Sequence, residues 1–382
     1  MSDNKQGAIF PAKGGVREGS LDFIRQALSQ GCFDAVLIPA KMPLSDSFAH
    51  VLIEDESLLK DAYPLCPIMT VQGAKALSSL TRRGKGKKVL AAWLRPCEVR
   101  AAVELSKLGQ IDLENIILIS IDCPGALPLA DWAKDPKKAE DTFAEILKGE
   151  PSESIRPICQ ICDKFSATGG EDLHIGMIGM KDNLLLIPNS PRGKSILDNL
   201  GLQVAQDISD WQSRVDALAA DRKKKREQAH KELESKARGL DNLLNTFSTC
   251  INCHNCMRVC PICYCRQCFF DSDNSKFPFE DYLTRAEVAG GLRLPPETLL
   301  FHIGRMLHMS LSCVSCGACE DACPTSIPVA QVFSLVGSKN QKAFDYVPGK
   351  SAGEPLPLRV YKDREFEEVE QSGAGTSAKE ET

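Results

Sequence analysis

The chain has 382 residues, 43% of them hydrophobic and 25% charged, and 46 basic against 51 acidic residues give a formal net charge of −5. This is the balance of a folded globular protein of two or three domains, with no global basic field for nucleic acid and no apolar run near the ~20 residues of a membrane helix. The polar start lacks the regions of a secretory signal, so a cytoplasmic protein with reduced thiols and no membrane span is expected.

From about Lys13 the chain alternates amphipathic helices with short apolar strands. Lys13-Gly14-Gly15-Val16 precedes a helix over Ser20 to Ser29. Gly31 to Ile38 reads as a buried strand, followed by Lys41 and a helix over Val71 to Thr81. The strand Lys88 to Leu94 leads into a helix over Cys97 to Leu108, and Asn115 to Ile121 is a third strand. This alternation predicts an α/β domain with a largely parallel sheet. A strand pair, Leu173 to Gly179 and Asn183 to Ile187, follows a cysteine turn and suggests a smaller β-containing subdomain. Residues 1–210 are expected to form this domain.

Residues 211–244, dense in Lys, Arg and Glu, read as a charged helical linker facing water. Residues 336–382 are rich in Gly, Ser, Pro and charge and are expected to form an extended tail, disordered over its last ten residues or so.

Between these lies the cysteine-rich region, 245–335. Of the 17 cysteines, 11 fall between Cys250 and Cys323. Cys250, Cys253, Cys256 and Cys260, followed by Pro261, spell C-x2-C-x2-C-x3-C-P. Cys313, Cys316, Cys319 and Cys323, followed by Pro324, repeat it. In bacterial two-cluster ferredoxins the first three cysteines of such a box hold one [4Fe–4S] cluster and the fourth crosses to the other. That pattern assigns Cys250, Cys253, Cys256 and Cys323 to one cluster, and Cys313, Cys316, Cys319 and Cys260 to a second. A structural zinc site is the weaker reading, because zinc knuckles come as paired C-x2-C turns rather than three cysteines at three-residue steps.

More than fifty residues separate the boxes, unlike a small ferredoxin. Part of that insertion, Pro295 to Ser312, is expected to be a helix burying Leu300, Ile303, Leu307 and Leu311. His302 and His308 on it are expected to pack beside a cluster rather than ligate. Cys263, Cys265 and Cys268 follow the first box without an evident fourth ligand. Cys32 and Cys66 read as buried structural thiols.

Four further cysteines are dispersed: Cys97 and Cys123, each just after a strand, and the pair Cys159 and Cys162. Sites in open α/β sheets assemble beyond the carboxyl ends of strands, where a C-x2-C turn could complete a quartet.

The segments VLAAWLRPCEVR (89–100), Asp122-Cys123, CQICDKFSATGGEDLHIGMIG (159–179) and PRGKS (191–195) resemble the beta-subunit family of coenzyme F-420-reducing hydrogenase and methanogen-type formate dehydrogenase. The resemblance runs to about Val332. It implies an N-terminal domain carrying FAD and one [4Fe–4S] cluster on Cys97, Cys123, Cys159 and Cys162, with an appended two-cluster ferredoxin-like module, three clusters in all. The chain departs from that pattern at Leu94-Arg95 and Asp172-Leu173-His174.

Clusters pass single electrons and hydride carriers pass two, so joining them calls for a flavin. Candidate flavin contacts are Gly14 and Gly15 at a helix start, with Lys41, Arg192, Gly193 and Lys194 as further phosphate or ribityl contacts. The implied function is an oxidoreductase subunit exchanging hydride between F-420 or NAD(H) and FAD. It would relay electrons to a formate dehydrogenase-like or heterodisulfide reductase-like partner. A flavin-free relay with no catalysis of its own is the alternative.

Overall fold

Runs rich in Leu, Ile and Val become strands here because both faces of the sheet are covered. The computed structural model describes residues 6–149, 152–292 and 297–360. Its strands are β1 (Gln6–Pro11), β2 (Ala35–Lys41), β3 (Phe48–Ile53), β4 (Leu90–Leu94), β5 (Ile116–Ile121), β6 (Leu173–Gly176), β7 (Asn183–Pro188) and β8 (Gln206–Asp207). They form one sheet in the order β3-β2-β4-β5-β6-β7-β1-β8. The centre, β2, β4, β5 and β6, is parallel, with Ala91 opposite Ile117 and Ile119 opposite Leu173. All six residues of β5 are buried.

The flanks are antiparallel, which makes the sheet mixed rather than largely parallel. β6 and β7 do not form a separate subdomain. Ile119 opposite Leu173 and Ile175 opposite Leu186 stitch them into the main sheet. β1 and β3 went unread in the sequence because each is short and only partly apolar. Since β1 and β6 both run antiparallel to β7, the carboxyl ends of β1, β2, β4, β5 and β6 share one edge.

One face carries the helices Val16–Ser29, Leu129–Lys134, Pro136–Leu147 and Pro191–Asn199 over a core that includes Phe10, Phe23, Ile38, Trp93 and Ile119. The other carries Gly73–Thr81 and Pro96–Lys107, and these pack directly on the cysteine-rich region. Leu37, Leu94 and Leu118 of the sheet share one core with Phe247, Phe301 and Phe333. The charged run is a 29-residue helix, Ser209–Ala237, anchored at its start by buried Trp211 and Val215. Among the described residues no helix is long and apolar enough to cross a membrane.

The inserted helix, Glu297–Met309, has the opposite face inward from that expected. Leu300, Ile303 and Leu307 are exposed, by 56%, 44% and 78%, whereas Phe301, His302, Arg305 and Met309 are buried. The inward face is chosen by contacts to cysteine sulfur and aromatic rings rather than by aliphatic periodicity. His308 is exposed, and Pro295 and Pro296 lie outside the described residues.

The helix Val329–Ala343 crosses the boundary expected at residue 335. The chain then folds back onto Pro96–Lys107. Glu104, fully buried, accepts hydrogen bonds from the Tyr346 hydroxyl at 2.6 Å, the Gly349 amide at 2.8 Å and Lys107 Nζ at 3.2 Å. Burial, then the Glu104 hydrogen bond and charge, raises the Tyr346 pKa. Residues 361–382, including the expected disordered end, lie outside the described residues.

Glu104→Ala should therefore cost about 3 kcal/mol, because it leaves a buried amide, phenol and ammonium short of their acceptor. Urea unfolding would read the loss, and limited proteolysis should cut the 345–360 segment faster. Unchanged values of both would mean that Glu104 does not hold that segment.

Candidate functional site

The dispersed quartet is assembled by strand ends. The Pro96–Lys107 helix begins straight after β4 with Pro96 in its first turn, and Glu98 reaches back to accept from the Arg95 amide at 2.8 Å. This fixes Cys97 at the carboxyl edge of the sheet. Cys123 stands two residues beyond β5, its amide bonded to Phe165 O at 2.8 Å. The turn bearing Cys159 and Cys162 is closed by Cys162 N to Cys159 O, 3.2 Å. All four cysteines line a single cavity.

A second cavity is lined by Cys260, Cys313, Cys316 and Cys319, so the last cysteine of the first box sits with the first three of the second. The two cavities adjoin, since Cys316 borders both. The loop of the second box comes close to the quartet turn because Gly317, at φ +81°, has no side chain to collide with Ile158. The charges of Cys250, Cys323 and Cys253 act on Cys256, so the first box lies within electrostatic range of the last cysteine of the second.

Of the other thiols, Cys263 packs its sulfur 3.0 Å from Met309 Sδ, Cys268 lies 3.8 Å from Met257 Sδ, and Cys265 is exposed. These three do not converge. Cys66 is buried and Cys32 only partly so.

A side-chain hydrogen bond with Cys263 lowers Cys260, but burial pushes other thiols up: Cys316 to about 12, Cys162 to about 11 with Cys159 adding, and Cys256 to about 11 against the opposing charge of Arg305. Thiols so placed ionise readily only where a metal takes up the charge. Among the described residues no three His, Cys, Asp or Glu side chains converge closely enough to hold a metal ion. In a cubane each thiolate binds its own iron, so its four ligands stand wider apart than four around one tetrahedral ion.

The side chains that sequence reasoning missed are three buried arginines. Arg95 Nη1 donates to Cys123 Sγ at 3.1 Å, and Arg156 Nη2 to Cys159 Sγ at 3.4 Å and to Cys316 O at 3.0 Å. Arg305 Nη1 donates to Cys256 Sγ at 3.1 Å. A fixed positive charge beside sulfur suits an anionic, thiolate-ligated group and opposes any neutral filling of the cavities. A signal for two of them was present in R-P-C (95–97) and R-P-I-C (156–159), where the arginine precedes the proline that starts the turn. His302, stacked on Phe247 at 3.9 Å, places Nε2 3.4 Å from Cys250 Sγ. Burial, then the charges of Arg305 and His254, lowers its pKa to about 3, so the ring is neutral.

No family model matches the chain. It is similar to the F-420-dependent formate dehydrogenase subunit beta of Methanocaldococcus jannaschii, at 26% identity over 296 residues, which cover 69% of this chain and 74% of the relative. It is also similar to the F-420-dependent formate dehydrogenase 1 subunit beta of Methanococcus maripaludis, at 27% identity over 368 residues, 87% of this chain and 90% of the relative. The chain is a homologue of these beta subunits. A chain in the structure of the F-420-reducing [NiFe] hydrogenase complex of Methanosarcina barkeri aligns with a TM-score of 0.45 and 13% identity, covering 62% of this chain and 95% of that one.

The residues expected to touch a flavin are divided in this homologue. Gly14 and Gly15, at φ +94° and +98°, form the turn from β1 into the Val16–Ser29 helix at the carboxyl edge. Lys41 ends β2 on that edge, 3.9 Å from Asp46. Arg192, Gly193 and Lys194 lie at the opposite edge, because β7 runs antiparallel and delivers its helix there. Arg192 is spent on the carbonyls of Leu113, Glu114 and Ile116. Gly193 is required for close packing, since a Cβ would overlap the Asp172 carbonyl. An open cleft of about 490 Å³ also borders Cys162, and Arg100, Lys164, Lys223, Arg226 and Lys342 are among its walls.

Behind Cys123 lies a polar hub. Buried Asp122 accepts from His174 Nε2 at 3.0 Å, Trp211 Nε1 at 2.8 Å, the amides of Met177 and Ile178 at 2.8 and 3.1 Å, and the Ser166 hydroxyl. Burial alone would raise its pKa, but the His174 bond and charge, with Ser166 and Trp211, bring it below the usual carboxylate value. Asp122→Ala should cost about 3 kcal/mol or more, because several buried donors lose one acceptor. Urea unfolding would measure it, and a loss below ~1 kcal/mol would show that water replaces the carboxylate.

Proposed function

We propose that this chain is the electron-transfer subunit of an oxidoreductase complex, exchanging hydride between a soluble carrier, F-420 or NAD(H), and FAD, and passing single electrons to a partner subunit. The observation that carries the reading is that Cys97, Cys123, Cys159 and Cys162 line one cavity and Cys260, Cys313, Cys316 and Cys319 an adjoining one. Cys97, Cys123, Cys159 and Cys162 would hold one [4Fe–4S] cluster. Cys260, Cys313, Cys316 and Cys319 would hold the next, and Cys250, Cys253, Cys256 and Cys323 the third, in a two-cluster ferredoxin-like module. The clusters would supply one-electron chemistry and the flavin the conversion between hydride and single electrons.

The chain's own residues do the rest. Arg95, Arg156 and Arg305 neutralise sulfur charge, and the aliphatic and aromatic walls keep water from it. Gly14, Gly15 and Lys41, on the same sheet edge as the quartet, remain the flavin contacts that the geometry supports. The homologues are named as formate dehydrogenase beta subunits, so a formate-oxidising subunit is the proposed partner, with a heterodisulfide reductase-like protein as the other candidate. The proposed location is the cytoplasm.

Iron, sulfide, zinc and flavin analysis of anaerobically purified protein tests this directly. Three clusters require about twelve irons per chain, with about one FAD. Cys159→Ala should drop iron to about eight, leave the two clusters of the boxes assembled, and abolish turnover from hydride carrier to partner. About eight irons without flavin in the wild type would favour the flavin-free relay instead. Zinc in place of iron would sink both readings.

A further inference from the structure

Arg305 is 2% exposed, and no carboxylate among the described residues pairs with it. Its Nη1 and Nη2 donate to Cys256 Sγ and Cys256 O, each at 3.1 Å, and its plane lies over Phe333 at 4.7 Å and Phe301 at 5.5 Å. Nε has no partner. The groups that stabilise its charge are sulfurs: Cys256 of one set, Cys260 and Cys319 of another, and Cys263. The other two arginines that touch a cysteine sulfur differ in this respect. Arg156 also meets Asp321 at 3.3 Å, and Arg95 lies beside Glu98, so a carboxylate offsets each in part.

A cation left unneutralised by protein carboxylates, and fixed by two aromatic faces, is costly unless the anion it serves is a bound group. A cluster gains one unit of negative charge on reduction. In a buried site, a guanidinium touching a ligand sulfur favours the state with the added electron. It does so by direct hydrogen bonding and by charge at short range, while Phe301 and Phe333 exclude the water that would screen it.

Resting on the reading that Cys250, Cys253, Cys256 and Cys323 hold a [4Fe–4S] cluster, we propose that Arg305 is a positioning residue that sets this cluster's reduction potential above what its cysteines alone would give. The electron is supplied by the neighbouring cluster or the partner, and Arg305 itself is neither oxidised nor reduced. Its place on the inserted helix explains why that helix turns its aliphatic stripe outward. The helix exists to deliver His302 and Arg305 to the sulfurs of the first box.

The test uses full-length wild type, Arg305→Gln and Arg305→Lys, each assayed for iron and sulfide and then titrated potentiometrically with EPR detection. Arg305→Gln is expected to keep the wild-type iron content and to lower most the midpoint of the cluster that Cys256 would hold, with a smaller fall for the cluster of Cys260 and Cys319 and none for the third. Arg305→Lys, which keeps the charge, should stay closer to the wild type. Full iron in Arg305→Gln with unmoved midpoints overturns the inference. If Arg305→Gln loses iron, Arg305→Lys decides. Retained iron with a near-wild-type midpoint supports the role of charge, and equal loss of iron shows a packing role and overturns it. A wild type without iron sinks the underlying reading instead, so the two failures are distinguishable.

Discussion

Positive charge buried against cysteine sulfur is the constraint on which the rest of this molecule depends. Arg95, Arg156 and Arg305 are each at most 5% exposed. A guanidinium in that position must find its compensation within hydrogen-bonding distance or the fold does not form. Arg95 reaches Cys123, Arg156 reaches Cys159 and the carbonyl of Cys316, and Arg305 reaches Cys256. The secondary structure around them can be understood as the means of holding these contacts. A proline-started helix follows β4, a short turn carries Cys159, and an inserted helix shows its less greasy face to the interior.

The same contacts decide how the parts join. Arg156 belongs to the sheet domain yet bonds to Asp321 and Cys316 of the second box, and Arg100 reaches Val314 O and Pro348 O. The hydrophobic core follows them, running without a break from Leu37 and Leu94 to Phe301 and Phe333. The two halves therefore do not behave as beads on a charged linker. The Ser209–Ala237 helix spans the surface of an already continuous structure, with Arg222 over the Phe165 ring and bonded to Cys162 O. A shared core of this kind places the quartet and the second box side by side, which a flexible linker could not do.

Much of this was legible in the sequence, and the exceptions are instructive. β4 and β5 stand within two residues of where their apolar runs placed them, because a fully buried strand leaves an unmistakable composition. The spacing of the boxes put Cys260 with Cys313, Cys316 and Cys319, and strand ends put Cys97 beside Cys123, and the members of each group line one cavity. What could not be read was anything decided by tertiary charge. Leu300, Ile303 and Leu307 have the helical period of a core stripe, yet they face solvent, because the competing face offers a sulfur and a carbonyl to Arg305 and a ring to His302. Arg192 and Gly193 had the look of a phosphate loop. The antiparallel direction of β7 carries them to the edge opposite the cysteine quartet, and strand direction is not written in periodicity.

Asp122 shows where such information hides. In the sequence it is merely the residue before a cysteine. In the fold it collects two amides, an indole, an imidazole and a hydroxyl from three separate segments behind the Cys123 turn. A carboxylate with that many donors is rigid. Rigidity of the shell behind a ligand is what holds a ligand sulfur in place when the group it binds changes charge. The sheet edge supplies position, the arginines supply compensating charge, and Asp122 supplies stiffness. All three are needed at the quartet because Cys97, Cys123 and the Cys159–Cys162 turn come from different parts of the chain, with no local loop geometry to hold them. The two boxes are single runs of closely spaced cysteines, so they can dispense with such a hub and rely on one inserted helix.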